Sequence, residues 1–440
     1  MTERPRQFLT RVWASMRQSP RAEHGKGANH LLRLCASLLS QRGEISSARI
    51  AAEAIAAYDQ LNDHSRSAFF DAMVTDYSTD AVDLRRAIDA YQMDPSSAHV
   101  LALHTAAEPR RQELFRRLNT APGGTQLLVT MRSDLLRTLS EHPERTGIDA
   151  DLVHLFRSWF NRGFLVLQRI DWKTSALVLE RLIQYEAVHQ VQGWHDLRRR
   201  LEDDRRCYAF FHPALPDEPL IFIEVALTDR LSANVQVLLE PRSPVIDPAR
   251  ARCAVFYSIT NCQTGLRGVS FGNFLIKQVV GELTREFPRI RKFATLSPVP
   301  GFRAWLASAS QVVPPELAPL RIETADQLER IPEAIGDEYR RLCAYYLVHE
   351  KRGRQPLDSV ARFHLANGAQ LARINWRGDC SAAGIASSLG MTANYVYRLA
   401  EVEANHEAYA TNFDVVTSPG VERLAREVRE TKVPRLARFA

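Results

Sequence analysis

The feature that most constrains this chain is a change of texture near Phe164. Over residues 1–160 apolar side chains recur at helical spacing and strand-like runs are nearly absent. Leu31, Leu32, Leu34, Leu38 and Leu39 form one stripe within 28–41, and Ile50, Ala54, Ile55 and Leu61 form another after Ser46. Further helices are predicted over 79–91, from 109 to 118, over 124–139 and over 149–160, with a break at Pro122-Gly123-Gly124. Beyond Phe164 the pattern turns to short runs rich in Val, Ile and Phe, bounded by Pro, Asp, Ser and Asn. These predict strands over 164–170, 207–212, 220–227, 235–240, 253–260 and 293–297. Helices are expected over 175–201 and 273–287, and the residues after 330 return to helices and loops. The basic tail over 421–438 is expected to be a solvated helix or a mobile end. The fold class that follows is α+β, with a helical domain over 1–160 and a mixed, mostly antiparallel sheet domain with C-terminal helices over 161–440.

Bulk properties narrow the function classes. At 440 residues the chain exceeds one ordinary core, and its 45% apolar and 25% charged residues are those of a globular protein. No run approaches the roughly 18 apolar residues a membrane span needs. The Arg-rich start lacks an apolar h-region, and Glu3 and Glu23 argue against an organelle presequence, so a cytoplasmic protein is expected. Six cysteines are scattered with no C-x-x-C pair, which disfavours a zinc site or a disulfide framework. The net charge of +6 suits an anionic partner, nucleic acid or a phosphorylated small molecule. The positive charges are dispersed, without a helix-turn-helix or aromatic-basic strand signature, so no nucleic-acid partner is expected.

The densest local signal runs from Ser258 to Lys277. A strand enters a loop containing Gly265, Gly268 and Gly272, and a helix follows with Ile276, Val279, Val280, Leu283 and Phe287 on one face before Pro288 stops it. Strand, Gly-rich loop and helix start make an anion site, because glycines let backbone N–H groups turn inward and the helix end adds positive potential. Arg267 and Lys277 add charge. The spacing matches neither a Rossmann fingerprint nor a P-loop. It does resemble the pyrophosphate-binding turn of the N-acetyltransferase (GNAT) superfamily, which holds coenzyme A.

Three stretches extend that likeness: Gly265-Leu-Arg-Gly-Val-Ser-Phe-Gly-Asn-Phe-Leu-Ile-Lys-Gln-Val-Val280, Phe293-Ala-Thr-Leu-Ser-Pro-Val-Pro-Gly-Phe302, and Val360-Ala-Arg-Phe-His-Leu-Ala-Asn-Gly-Ala369 with Arg373-Ile-Asn-Trp376 and Ala393-Asn-Tyr-Val-Tyr397. Their order and wording resemble malonyl-CoA decarboxylases, from the helical part to about position 400. The resemblance implies a helical domain used in oligomer formation, as a dimer or tetramer, followed by an acetyltransferase-like (GNAT) catalytic domain. It implies malonyl-CoA as substrate, acetyl-CoA and CO2 as products, and no metal, biotin or other cofactor beyond the coenzyme A of the substrate. Ser297 and His364 match the family's catalytic serine and histidine. Arg267, Gly268, Val269, Ser270, Phe271, Gly272, Asn273 and Lys277 fall in its coenzyme A loop and the helix after it. Some family members carry an acidic residue where Ser270 stands, so a carboxylate role there does not transfer.

The chemistry implied suits such residues. A malonyl thioester already holds its electron sink, the thioester carbonyl. The enzyme must hold the carboxylate out of the thioester plane, stabilise the enolate oxygen and deliver a proton to carbon. A serine and a histidine can do this without a nucleophilic step, and His364 can either donate the proton or orient Ser297. Spacing alone selects neither residue: Ser297 precedes Pro298 as a turn residue would, and His364 is one of 13 histidines. An acyl-CoA N-acyltransferase on the same fold is the alternative. It needs an amine site and usually a general base, and the sequence identifies neither.

Overall fold

The computed structural model describes residues 26–432 apart from 41–42, 270–274, 310–312, 314–316 and 318–321. It separates into two compact units. One holds the chain through Leu165 together with 212–216 and 263–270; the other holds the rest.

The first unit is helical: α1 (Lys26–Ser40), α2 (Glu44–Asp59), α3 (Asp63–Thr75), α4 (Ala81–Met93), α5 (Ser97–Ala107), α6 (Arg110–Asn119), α7 (Gly124–Thr138) and α8 (Thr146–Trp159). Polar side chains start two of these helices. Asn62 accepts from the Ser65 N–H, and Asp80 accepts from the Val82 and Asp83 N–H groups, satisfying donors that the first turn leaves open. Leu38, Phe69, Phe115, Leu128, Leu135 and Phe156 are among its buried core. The buried Arg111 is paired to Asp151 at 2.6 Å, and Arg145 to Asp71 at 2.7 Å. The helices α3 and α5 have no counterpart in the predicted elements; α5 is mostly exposed, so its apolar residues trace no buried stripe.

The second unit is built on an eight-stranded sheet. Its order is β1 (Val166–Ile170), β2 (Arg205–Phe211), β3 (Ile221–Thr228), β4 (Cys253–Asn261), β5 (Lys292–Thr295), β10 (Thr392–Tyr397) and β6 (Ser297–Pro298), with β9 (Gln370–Asn375) also on β10. Only β4 and β5 run parallel, joined through the helix Leu275–Glu286; the other pairs are antiparallel. This is the mixed, mostly antiparallel sheet with C-terminal helices expected of the class. Every residue of β2 and β3 is buried, as in strands covered on both faces. A small separate ribbon pairs β7 (Lys351–Arg352) with β8 (Gln355–Pro356).

Three local expectations fail for physical reasons, and a fourth holds only in part. The run over 235–240 contains a helical turn, Gln236–Leu239; Val235 and Leu238 are buried at a spacing of three while Val237 is exposed. The helix expected over 175–201 is two helices, Ala176–Tyr185 and Trp194–Arg200, parted at Gly193, whose φ is +88°. The strands β9 and β10 lie in the stretch expected to hold only helices and loops. Their Arg, Asn and Thr side chains look solvated but bond one another: Arg373 donates to Asn394 at 2.9 Å, and Asn375 donates to Asn394 at 2.9 Å and Thr392 at 3.2 Å. The tail forms the helix Pro419–Lys432, which is solvated on one face only: it buries Val421, Ala425 and Val428 on the other and pairs Glu427 with Arg341. No helix among the described residues is long and apolar enough to cross a membrane.

Candidate active site

Ser297 lies where the sheet changes partners. After β5 the Leu296 N–H donates to Phe256 O at 2.9 Å, and Ser297 then pairs with Ala393 of β10. Thr295 and Ser297 stand two residues apart, so both hydroxyls project from one face. The Ser297 hydroxyl donates to Thr295 Oγ1 at 2.8 Å, and the Tyr395 N–H donates to the same Oγ1 at 3.2 Å. His364 arrives from the helix Ser359–Ala366. The buried Asp358 caps that helix, accepting from the Ala361 N–H at 2.8 Å. The imidazole Nε2 sits 2.9 Å from Ser297 Oγ, and Nδ1 sits 2.8 Å from the Tyr397 hydroxyl. Tyr395 stacks against the ring at 4.6 Å between centroids.

The group is almost dry. Ser297, His364, Tyr395 and Tyr397 are all buried. Burial pushes the His364 imidazole down to about 3, so the ring is neutral across the physiological range. The same burial pushes the Tyr395 and Tyr397 phenols well above their ordinary value. A neutral imidazole has one N–H. With Ser297 donating to Thr295, that proton belongs on Nε2, donating to Ser297, and the Tyr397 O–H donates to Nδ1. The partner of Nδ1 is therefore a phenol where a nucleophilic triad carries a carboxylate. Such a chain can supply hydrogen bonds and relay a proton; it is poorly built to make an alkoxide.

Tyr397 also lines a cleft of about 520 Å³ beside the helix Leu275–Glu286. Ile276, Val280, Leu399 and Val402 give it apolar walls. Lys277 lies in it too, 3.5 Å from Glu403. Gly281 faces the same cleft, and a Cβ there would meet nothing within 4 Å. Ser297, His364, Tyr397, Lys277 and the cleft thus all belong to the sheet unit.

The Gly-rich turn is placed differently. Arg267, Gly268 and Val269 group with the helical unit. Arg267 and Gly268 are exposed, Val269 is buried, and Gly268 holds a left-handed φ of +78°. Ser270, Phe271, Gly272 and Asn273 lie outside the described residues. Trp376 is buried, whereas Trp172 and Trp194 are exposed.

Thr295 and the bond from His364 to Tyr397 were not derivable from spacing. The i, i+2 pairs Thr295/Ser297 and Tyr395/Tyr397 were the available signal, since each pair shares a strand face. Asp358, three residues before Ala361, was readable as a cap.

A buried hydroxyl–imidazole–phenol chain at the end of a mixed sheet, met at Tyr397 by an apolar cleft, is a site that donates hydrogen bonds and relays protons without a nucleophilic triad. Residues 163–435 match the family model for the malonyl-CoA decarboxylase C-terminal domain, and residues 77–160 match that for its N-terminal domain. A mitochondrial malonyl-CoA decarboxylase of Rattus norvegicus is 37% identical over 358 residues, covering 74% of this chain and 73% of that protein. One from Anser anser anser is 38% identical over 334 residues, covering 68% of this chain and 66% of that protein. The crystal structure of malonyl-CoA decarboxylase from Rhodopseudomonas palustris superposes with a TM-score of 0.84 at 46% identity, covering 90% of this chain and 99% of that one. The chain belongs to the malonyl-CoA decarboxylase family.

Proposed function

We propose that the protein converts malonyl-CoA to acetyl-CoA and CO2, with Ser297 and His364 acting on the acyl group. The observation that carries this is the neutral Ser297–His364–Tyr397 chain. When CO2 leaves, the electron pair of the broken C–C bond passes into the thioester and forms an enolate. Ser297 and His364 hydrogen-bond the oxygen on which charge develops. As the Ser297 hydroxyl proton goes to carbon, Nε2–H replaces it in the same step, the Tyr397 proton moves to Nδ1, and a solvent proton from the cleft restores the phenol; a proton shift from Nδ1 back to Nε2, with the two hydroxyls turning over, returns the resting tautomer. One proton is consumed, which balances the reaction. No resident cofactor is needed, because the thioester is the electron sink.

Coenzyme A is assigned to two supports. The turn with Arg267, Gly268 and Val269 is assigned the phosphates, together with the sequence neighbours Ser270, Phe271, Gly272 and Asn273. The cleft with Lys277 takes the apolar arm, because its walls are aliphatic and it reaches Tyr397. Malonyl-CoA labelled in the carboxylate carbon tests the whole assignment. Labelled CO2 should appear with equal acetyl-CoA and no acceptor present. Acylated amine, formed only when an amine is added and without CO2 release, would make the protein an N-acyltransferase.

We also propose self-association as a dimer or tetramer through α4 and α5. These two helices pack on each other and bury no residue, while Val82, Ile88, Tyr91, Val100 and Leu101 are exposed on them. The local charge is mixed, Asp80, Asp83 and Asp89 against Arg85 and Arg86, which suits a second copy of the same surface. Light scattering should show Leu101→Glu shifting the protein to a smaller species; a wild-type monomer at micromolar concentration would remove the proposal. The compartment proposed is the cytoplasm, which fits the free cysteines, five of them buried.

A further inference from the structure

The helix α7 does more than fill the helical unit. Its Arg132 is 3% exposed and reaches the Gly-rich turn. One guanidinium nitrogen, Nη1, donates to both Gly265 O and Arg267 O at 2.7 Å, while Nε donates to Asp149 at 2.8 Å. The turn lies directly on the helix: a Cβ added to Gly265 would sit 1.9 Å from Val129 O. Three N–H groups of the turn are used internally. Leu266 donates to Gln263 O, Arg267 to Thr264 O and Val269 to Leu266 O. The Gly268 N–H has no acceptor among the described residues.

The Arg267–Gly268 peptide bond is trans, so its C=O and N–H point in opposite directions. Holding Arg267 O against Arg132 turns the Gly268 N–H away from α7 and toward solvent. No other hydrogen bond among the described residues fixes that plane. Glycine at 268 makes rotation of the plane inexpensive, because both signs of φ are open to it. Arginine suits this role, since its planar fork serves two carbonyls and a carboxylate at once. Asp149 offsets its charge, so that the anion site gains orientation instead of another mobile cation.

We infer that Arg132 is a positioning residue for coenzyme A: it fixes the Arg267–Gly268 peptide so that the Gly268 N–H is presented to a phosphate of the nucleotide. The inference rests on the proposed phosphate role of this turn. It gives the helical unit a part in substrate affinity that self-association does not require.

The test compares malonyl-CoA with the malonyl thioester of N-acetylcysteamine, which lacks every phosphate. Arg132→Gln should raise the KM for malonyl-CoA by about tenfold to a hundredfold while kcat holds. On the truncated thioester kcat/KM should stay within about twofold, and Arg132→Lys should recover part of the loss by serving one carbonyl. Equal losses on both substrates mean that Arg132 only supports the fold, and unchanged kinetics on both mean that it positions nothing; either result overturns the inference. If Arg132→Gln does not fold, Asp149→Asn decides instead. It leaves the guanidinium in place but free to turn, and should raise the malonyl-CoA KM alone, by a smaller factor. Gly268→Val separates the two claims. If it leaves the malonyl-CoA KM unchanged, the phosphate role of the turn is wrong. If it raises KM and the Arg132 and Asp149 variants do not, the turn holds phosphate without help from α7.

Discussion

The turn at 263–269 and the pocket around Ser297 solve opposite electrostatic problems. The turn is exposed at Arg267 and Gly268, carries a cation and has, at Gly268, an N–H with no acceptor among the described residues. The pocket is buried, and its members are two hydroxyls, a neutral imidazole and a phenol. No lysine or arginine among the described residues bonds Ser297, His364 or Tyr397. Phosphates stay charged throughout, so they suit a site where backbone donors and arginine meet water. The malonyl carboxylate must lose its charge as CO2. A pocket with hydrogen-bond donors and no countercation gives the ionised ground state little that the compact enolate oxygen does not receive more strongly. Affinity and turnover should then be separable, and experiments on the two regions measure how cleanly.

The largest effect is expected at the dyad. Ser297→Ala and His364→Asn should each lower kcat by about 10²- to 10⁴-fold, as for groups acting in the transition state. Coenzyme A affinity, measured by titration calorimetry, should stay within about twofold of wild type. The double variant should lose much less than the product of the single losses, since the two side chains share one hydrogen bond. A folded His364→Asn protein turning over near the wild-type rate would remove the catalytic role of His364 while leaving the decarboxylase family intact.

Filling the cleft should act on the other side of the divide. Gly281→Leu adds bulk where a Cβ meets nothing, and replacing a helical glycine favours the helix. The fold should therefore survive while KM for malonyl-CoA rises by about tenfold to a hundredfold. A KM near wild type places the pantetheine arm elsewhere. Tyr397→Phe tests the boundary between the two regions, because this residue lines the cleft and bonds His364. Losing one buried hydrogen bond corresponds to about tenfold in rate. That loss should fall on kcat; a pure KM effect would make Tyr397 part of the cleft wall and no part of the relay.

The two regions were unequally legible in the sequence. Glycine spacing, a following amphipathic helix and nearby cations marked the turn, because its function is local and its glycines are close in the chain. Its support was invisible: Arg132 lies 133 residues from Gly265. The dyad spans 67 residues, and its assembly depends on β10 lying beside both β5 and β6. That strand reads as loop because its buried Thr392 and Asn394 look polar, and the partners that satisfy them come from β5, β9 and the 232 region. Only the family resemblance joined Ser297 to His364 beforehand. The helical character of the first 160 residues was readable from apolar stripes in α1 and α2, but α5, which buries nothing, sets no stripe toward a core.

The smallest effect is one of pH, and it examines the neutrality on which the contrast turns. The ordinary imidazole value is 6.5, and burial lowers that of His364 to about 3 in the folded chain. As pH falls below 6.5, the unfolded chain takes up a proton that the folded chain refuses until about 3. Stability is therefore lost as pH falls through that window, and nothing is lost from this group as pH rises above it. The contribution of this one residue approaches a slope of about 1.4 kcal/mol per pH unit within the window. Other groups titrate there too, so the informative quantity is wild type minus His364→Asn, from denaturant unfolding at about pH 7 and about pH 5. The wild-type protein should lose more stability than the variant between those two conditions, and its kcat should show no protonation limb from His364 near 6.5. A constant difference between the two proteins would mean that the folded imidazole takes up protons as readily as the unfolded one. Ser297 would then face a cation at low pH, and the contrast between a charged phosphate turn and a neutral acyl pocket would no longer describe this molecule.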